Sequence, residues 1–147
     1  MYESTRITNK NLLEPELSYK IRGMIYNVAN KYGRGLKEQI YQKALIEELI
    51  KNKISFGQQK RINIFSIDSG KLLGFYIPDF MIENKIILEI KSSALTVKQN
   101  VNQQVSYLKA SIYEIGYLVN FGTEKLNIRR SIFTNNRKQF ISLMQNS

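Results

Sequence analysis

Asp79, Glu89 and Lys91 are the residues of this chain whose types and spacing could do chemistry. They lie within Ile77-Pro78-Asp79-Phe80-Met81-Ile82-Glu83-Asn84-Lys85-Ile86-Ile87-Leu88-Glu89-Ile90-Lys91, which reads as two strands joined by a tight turn. Ile86 to Ile90 is β-branched and apolar, the composition of a buried strand, yet Glu89 sits inside it and Lys91 follows it. Side chains alternate along a strand, so Ile87, Glu89 and Lys91 share one face and Ile86, Leu88 and Ile90 the other. A carboxylate and an ammonium in a core strand are costly unless they are paired or bind a metal. One solution is a structural ion pair, Glu89 with Lys91 or Asp79 with a neighbour. The other is a cation site. The chain contains no Cys and no His, so a metal would need oxygen ligands, which favours Mg²⁺ or Mn²⁺ over Zn²⁺.

The turn decides whether Asp79 and Glu89 can cooperate. A two-residue turn at Glu83-Asn84 would pair Ile82 with Lys85 and face Asp79 away from Glu89. A three-residue loop, Glu83-Asn84-Lys85, pairs Ile82 with Ile86 and sets Asp79 opposite Glu89 on the same face. The sequence is expected to use this second register, or a bulge that achieves it.

The elements that must position these residues can be read from periodicity. Pro15 between Glu14 and Glu16 suits a helix start. From Leu17 the apolar positions Ile21, Met24, Ile25, Val28 and Ala29 recur at helical spacing, ending near Tyr32-Gly33. After the break at Gly33-Arg34-Gly35, a second helix is expected from Leu36 to Lys53, burying Leu36, Ile40, Ala44, Leu45 and Leu49. Glu38 and Tyr41 lie on one row of it, which puts Glu38 at the margin of the inward face. A strand over roughly residues 57 to 67, a turn at Asp68-Ser69-Gly70-Lys71 and a return strand from Leu72 to Ile77 make a hairpin. Val97 to Lys109 reads as a helix with Gln103 and Tyr107 on one face. Glu114 to Asn120 reads as a strand, Leu126 to Thr134 as a last strand carrying Arg129 and Arg130, and the remainder as a short basic helix. Strands of mixed direction with helices on their faces give an α/β expectation.

At 147 residues with 43% hydrophobic content, one domain is expected, covering residues 15–147 behind a flexible polar arm of residues 1–14. Net charge is +10 and the pI about 9.8, which suits a polyanionic partner. Candidate contacts are Lys60, Arg61, Lys98, Arg129, Arg130, Arg137 and Lys138. Without Cys or His, thiol nucleophiles, Ser-His-Asp triads and His-based nucleases are excluded. No apolar run is long enough for a membrane span, and the N-terminus lacks an apolar signal core, so a cytoplasmic location is expected.

Together these motifs resemble the PD-(D/E)xK nuclease superfamily, and within it the small bacterial GxxExxY proteins. The naming motif is Gly35-Leu36-Lys37-Glu38-Gln39-Ile40-Tyr41, continuing through Ala44-Leu45 and Glu48-Leu49. Asp79, Glu89 and Lys91 follow. Gln103 and Tyr107 resemble the Gln-x-x-x-Tyr helix of recombination-type exonuclease domains, and Leu118-Val119-Asn120-Phe121-Gly122 resembles the family's strand ending in Asn-Phe-Gly. Two departures are Ala29, where relatives often carry histidine, and Arg34 in place of the proline of Gly-Pro-Gly.

The resemblance implies a restriction-endonuclease-like core, a mixed central sheet flanked by helices. It implies Mg²⁺ or Mn²⁺ held by Asp79 and Glu89, with Glu38 as a further acidic ligand, and Lys91 as the catalytic lysine. Gln103 and Tyr107 would orient the site or contact nucleic acid. Tyr41, on the row of Glu38, and the basic residues Arg129 and Arg130 are further candidates for these roles on their own chemistry. The implied activity is metal-dependent hydrolysis of phosphodiester bonds, with DNA as the substrate. The alternatives are a non-cleaving nucleic-acid-binding module or an interaction subunit of a larger DNA-processing complex. Cores of this type often work as homodimers.

Overall fold

The computed structural model describes residues 13–145. Most of the expected N-terminal arm, residues 1–12, lies outside the described residues. Helix α1 (Pro15–Tyr32) opens with Pro15 in its first turn and Glu16 near its N-terminus, and buries Ser18, Ile21, Met24, Ile25 and Val28. Helix α2 (Glu38–Lys51) buries Tyr41, Ala44, Leu45, Glu48 and Leu49. Its inward stripe is therefore rotated from the expected one: Ile40 is exposed and Tyr41 takes the core position. Glu48 is buried but answered by Lys31 at 3.4 Å and Asn27 at 3.3 Å. Between the helices, Gly33 (φ 72°) and Gly35 (φ 85°) occupy the left-handed region that favours glycine.

The single strand expected over about residues 57–67 is two strands, separated by a kink at Gln59, whose φ is 56°. β1 (Phe56–Gln58) joins the main sheet, while β2 (Ile62–Phe65) pairs with β3 (Leu72–Tyr76) in a separate hairpin. The chain then runs through β4 (Phe80–Ile82), β5 (Ile86–Lys91), helix α3 (Lys98–Lys109), β6 (Ile115–Asn120) and β7 (Asn127–Ile132). A 3₁₀ turn (Asn135–Arg137) and helix α4 (Gln139–Gln145) end the described chain. The main sheet has the order β1-β4-β5-β6-β7. Only β5 and β6 are parallel, and α3 is their crossover, as parallel neighbours require.

Both faces of the sheet are covered. Helices α1 and α2 pack on Phe80, Ile82, Ile86, Leu88, Ile90, Ile115, Tyr117 and Val119. On the other face, Met81 and Ile87 meet Leu108 of α3 and Ile62 of the hairpin. β5 and β6 are buried on both sides, which is why their sequences are nearly continuous apolar runs. No described helix is long and apolar enough to cross a membrane.

Candidate active site

The register at the β4–β5 turn pairs Ile82 with Ile86, Met81 with Ile87 and Phe80 with Leu88. One step further, Asp79 comes opposite Glu89. Glu83 (φ 52°) and Asn84 (φ 57°) are both left-handed, and the Lys85 N–H donates to the Ile82 carbonyl at 2.9 Å. The turn is thus closed by two residues, as in a type I′ turn, and Lys85 is the extra residue that shifts the pairing by one. Asp79 shares the Met81 and Ile87 face, as does Glu89. The Ile90 N–H donates to Asp79 Oδ2 at 2.7 Å, which pins that carboxylate against β5.

Glu89 is 9% exposed, and its Oε1 is buried without a hydrogen-bond partner. Burial pushes its pKa up to about 7; the Lys91 charge and the Asp79 amide pull the other way, and Glu38 adds to the rise. Asp79 is also raised, first by burial and slightly by Glu38, against the Ile90 N–H and the Lys91 charge. Among the described residues the ion pairs within 4.0 Å are Lys31–Glu48 and Lys85–Glu14. Glu89 and Lys91 are therefore close enough to feel each other without forming the structural ion pair. What remains is two carboxyls of raised pKa sharing a face, one with an orphaned oxygen. This donor set suits a hard divalent cation. No group of three acidic, His or Cys side chains is drawn together among the described residues. Glu38, the first residue of α2, is exposed and acts on the pair by its charge.

Glu89 and Lys91 open into a cavity of about 150 Å³ walled by Tyr76, Ile77, Asn100, Gln103, Gln104 and Leu118. Gln103 thus reaches the site. Sequence reasoning misses Asn100, although it lies three residues before Gln103 on the same helical row. Gln104 is buried, and its Nε2 donates to the Tyr117 carbonyl at 3.0 Å, fixing α3 to β6. Tyr107 stacks on Tyr76 with ring centroids 3.8 Å apart, so it holds the cavity wall.

The two arginines separate. Arg129 pairs with Leu118, which pairs with Glu89. It stands exposed on the site's face, two strands or roughly 10 Å away. Arg130 points to the opposite face, where its guanidinium donates to the Leu13 carbonyl at 2.9 Å; because neighbours on a strand alternate, the two candidate contacts stand on different faces of the sheet. Lys138 is likewise removed from the candidate contacts, since its buried Nζ donates to the Ser111 and Tyr113 carbonyls at 2.8 and 2.7 Å.

Tyr41 is fully buried, which leaves it no direct contact with nucleic acid. Its ring stacks on Phe121 at 4.2 Å, its hydroxyl donates to the Gly33 carbonyl at 2.7 Å, and the Leu36 N–H donates to it at 3.1 Å. Phe121 in turn receives the Gly35 N–H on its carbonyl and donates its own N–H to the Lys91 carbonyl. Ser92 donates to the Leu36 carbonyl. The Asn120 carboxamide accepts from the Ser93 and Gly122 amides at 3.1 and 2.9 Å. Gly122 lies so close to this loop that a Cβ would meet the Ser93 nitrogen at 2.4 Å. The two sequence motifs, Gly35 to Tyr41 and Asn120 to Gly122, are one clasp. It ties the start of α2, and with it Glu38, to the end of the strand that carries Glu89 and Lys91.

No curated protein matches the chain. Among solved structures, the crystal structure of SSO0001 is similar at a TM-score of 0.47 and 18% identity, covering 74% of this chain; the chain spans 55% of that protein's length. The family model of the PD-(D/E)XK nuclease superfamily matches residues 15–131. The five-stranded mixed sheet flanked by helices is consistent with the restriction-endonuclease-like core of that family. With a match spanning both helices, the candidate carboxylates and the sheet, the chain belongs to the PD-(D/E)XK nuclease superfamily.

Proposed function

We propose that this chain is a divalent-metal-dependent nuclease that hydrolyses phosphodiester bonds in DNA. The observation that carries the reading is the buried Glu89 carboxyl, with one oxygen unpartnered, on the same face as Asp79 and in a cavity with Lys91. A core carboxylate with a buried, unpartnered oxygen is a cost the fold has no structural reason to bear. The superfamily commonly uses Mg²⁺ or Mn²⁺, and Asp79 and Glu89 would hold it. When bound, such an ion supplies a water of lowered pKa and neutralises charge on the phosphate.

The remaining chemistry belongs to the side chains. Ile90 orients Asp79 through its amide. Lys91, on the cavity wall beside Glu89, positions the attacking water or offsets the negative charge developing on the phosphate. Gln103 and Asn100 present amides to the scissile phosphate from α3, and Tyr76, held by Tyr107, closes the wall opposite. Glu38 biases both carboxyls upward and would add negative charge beside a bound ion. The Gly35–Tyr41 motif, with Glu38 within it, supports placing the chain near the GxxExxY proteins.

The test is hydrolysis of labelled duplex, single strand, flap, four-way junction and RNA in Mg²⁺ and in Mn²⁺. At least one DNA substrate should be cut, and chelation should stop it. Binding without hydrolysis of any substrate would instead make the chain a nucleic-acid-binding module on this fold.

A further inference from the structure

The outer face of the β2–β3 hairpin is not used by the site as described. Ile62, Ile64 and Tyr76 turn inward against the sheet and α3. Leu73, Phe75 and Ile77 alternate with them and are 71%, 51% and 40% exposed. Single exposed apolar residues are ordinary, but three at a two-residue spacing make a strip along one face. Arg61 lies across Phe75 with its guanidinium carbon 3.9 Å from the ring centroid. The strip is also continuous with the catalytic cavity, because Ile77 at its base is part of the cavity wall beside Glu89 and Lys91.

We propose that this strip, centred on Phe75 and Arg61, is a stacking platform for the unpaired bases of a single-stranded nucleic acid whose backbone continues into the cavity. The inference rests on the nuclease reading and names its substrate class. An exposed aromatic ring and a guanidinium plane both offer flat faces to a base, and a base has a π-face whatever its sequence. In a duplex the bases are already stacked on one another and cannot use the platform. Charge favours the same occupant. Lys60, Arg61 and Lys71 belong to the hairpin and its approach, with Asp68 as the hairpin's acidic residue. A second copy of this chain would bring its own +10 charge to the contact.

The test is binding of the full chain to a labelled single-stranded DNA and to its duplex, by fluorescence anisotropy without divalent metal. Phe75→Ala should weaken single-strand binding by about tenfold while changing duplex binding by less than about twofold. Phe75→Leu, which keeps apolar bulk and loses the ring, should behave as Phe75→Ala, whereas Phe75→Trp should retain the affinity. Arg61→Ala should weaken the single strand and lower its salt dependence. Unchanged single-strand affinity in Phe75→Ala, equal losses on both substrates, or sedimentation showing that the substitution merely splits a dimer would each overturn the proposal. Hydrolysis in Mg²⁺ is scored separately. A chain that cuts nothing yet shows ring-dependent single-strand binding loses only the nuclease reading, and one that cuts while Phe75→Ala binds normally loses only the platform.

Discussion

Asp79→Asn, Glu89→Gln and Lys91→Ala should each reduce hydrolysis by about a thousandfold or more, the scale of losing a group that stabilises charge in the transition state. The first two are isosteric. In Asp79→Asn the carboxamide oxygen can still accept the hydrogen bond that Ile90 gives to Asp79 at 2.7 Å, and a glutamine fits the volume that Glu89 fills. Lys91 is half-buried, and its register is held by its main chain through the Phe121 N–H, so truncation to alanine leaves β5 in place. Loss of activity in these variants would then be loss of chemistry, and their circular dichroism should match the parent's. Parent-like rates in any of the three would make its carboxylate or ammonium structural. Glu38→Gln should cost less, because Glu38 is exposed and reaches the pair through its charge.

The same carboxylates predict an unusual stability profile. Burial raises Glu89 from an ordinary 4.5 to about 7, so the folded state holds this proton more tightly than the unfolded chain does. The stabilisation this represents is fully present below about pH 4.5 and is lost as pH rises through about 7. The shift is worth roughly 3 kcal/mol at 1.36 kcal/mol per unit, and Asp79 adds in the same direction. Glu89→Gln does not titrate. Without metal at pH 8 it should therefore be more stable than the parent by up to roughly 3 kcal/mol, about 10 °C in Tm for a domain of this size. Below about pH 4.5 the two should converge. Thermal melts of both proteins across pH check this, and a parent curve parallel to that of Glu89→Gln would contradict it. A substitution that stabilises the fold while abolishing activity is the mark of a site kept for function.

The β5 strand is legible in the sequence because apolar residues on both faces of a buried strand leave Glu89 conspicuous. The register is legible too, since only one pairing brings Asp79 and Glu89 to the same face, and the structure uses it by placing Lys85 as the extra residue. Tyr41 is harder. Glu38 and Tyr41 share a row, and motif spacing suggests a shared role at the site, but the tyrosine is a core residue because Phe121, eighty residues away in sequence, offers it a stacking partner. Such a pairing leaves no local signal. Arg130 illustrates the opposite case: strand alternation alone separates it from Arg129 once β7 is given a definite inward face. The break at Gln59 falls in the polar stretch Gly57-Gln58-Gln59-Lys60-Arg61, which an exposed strand end and a connection can equally hold, and only the sheet order shows that Phe56–Gln58 and Ile62–Phe65 serve different sheets.

Specific binding of a divalent ion by Asp79 and Glu89 is the claim on which the account turns, and Mn²⁺ titration followed by its paramagnetic resonance signal measures it without requiring a substrate. The parent at pH 8 should take up Mn²⁺ with Mg²⁺ competing for the same place, while Asp79→Asn and Glu89→Gln should leave the ion free in solution. Equal uptake by all three proteins, or none by the parent, would contradict it.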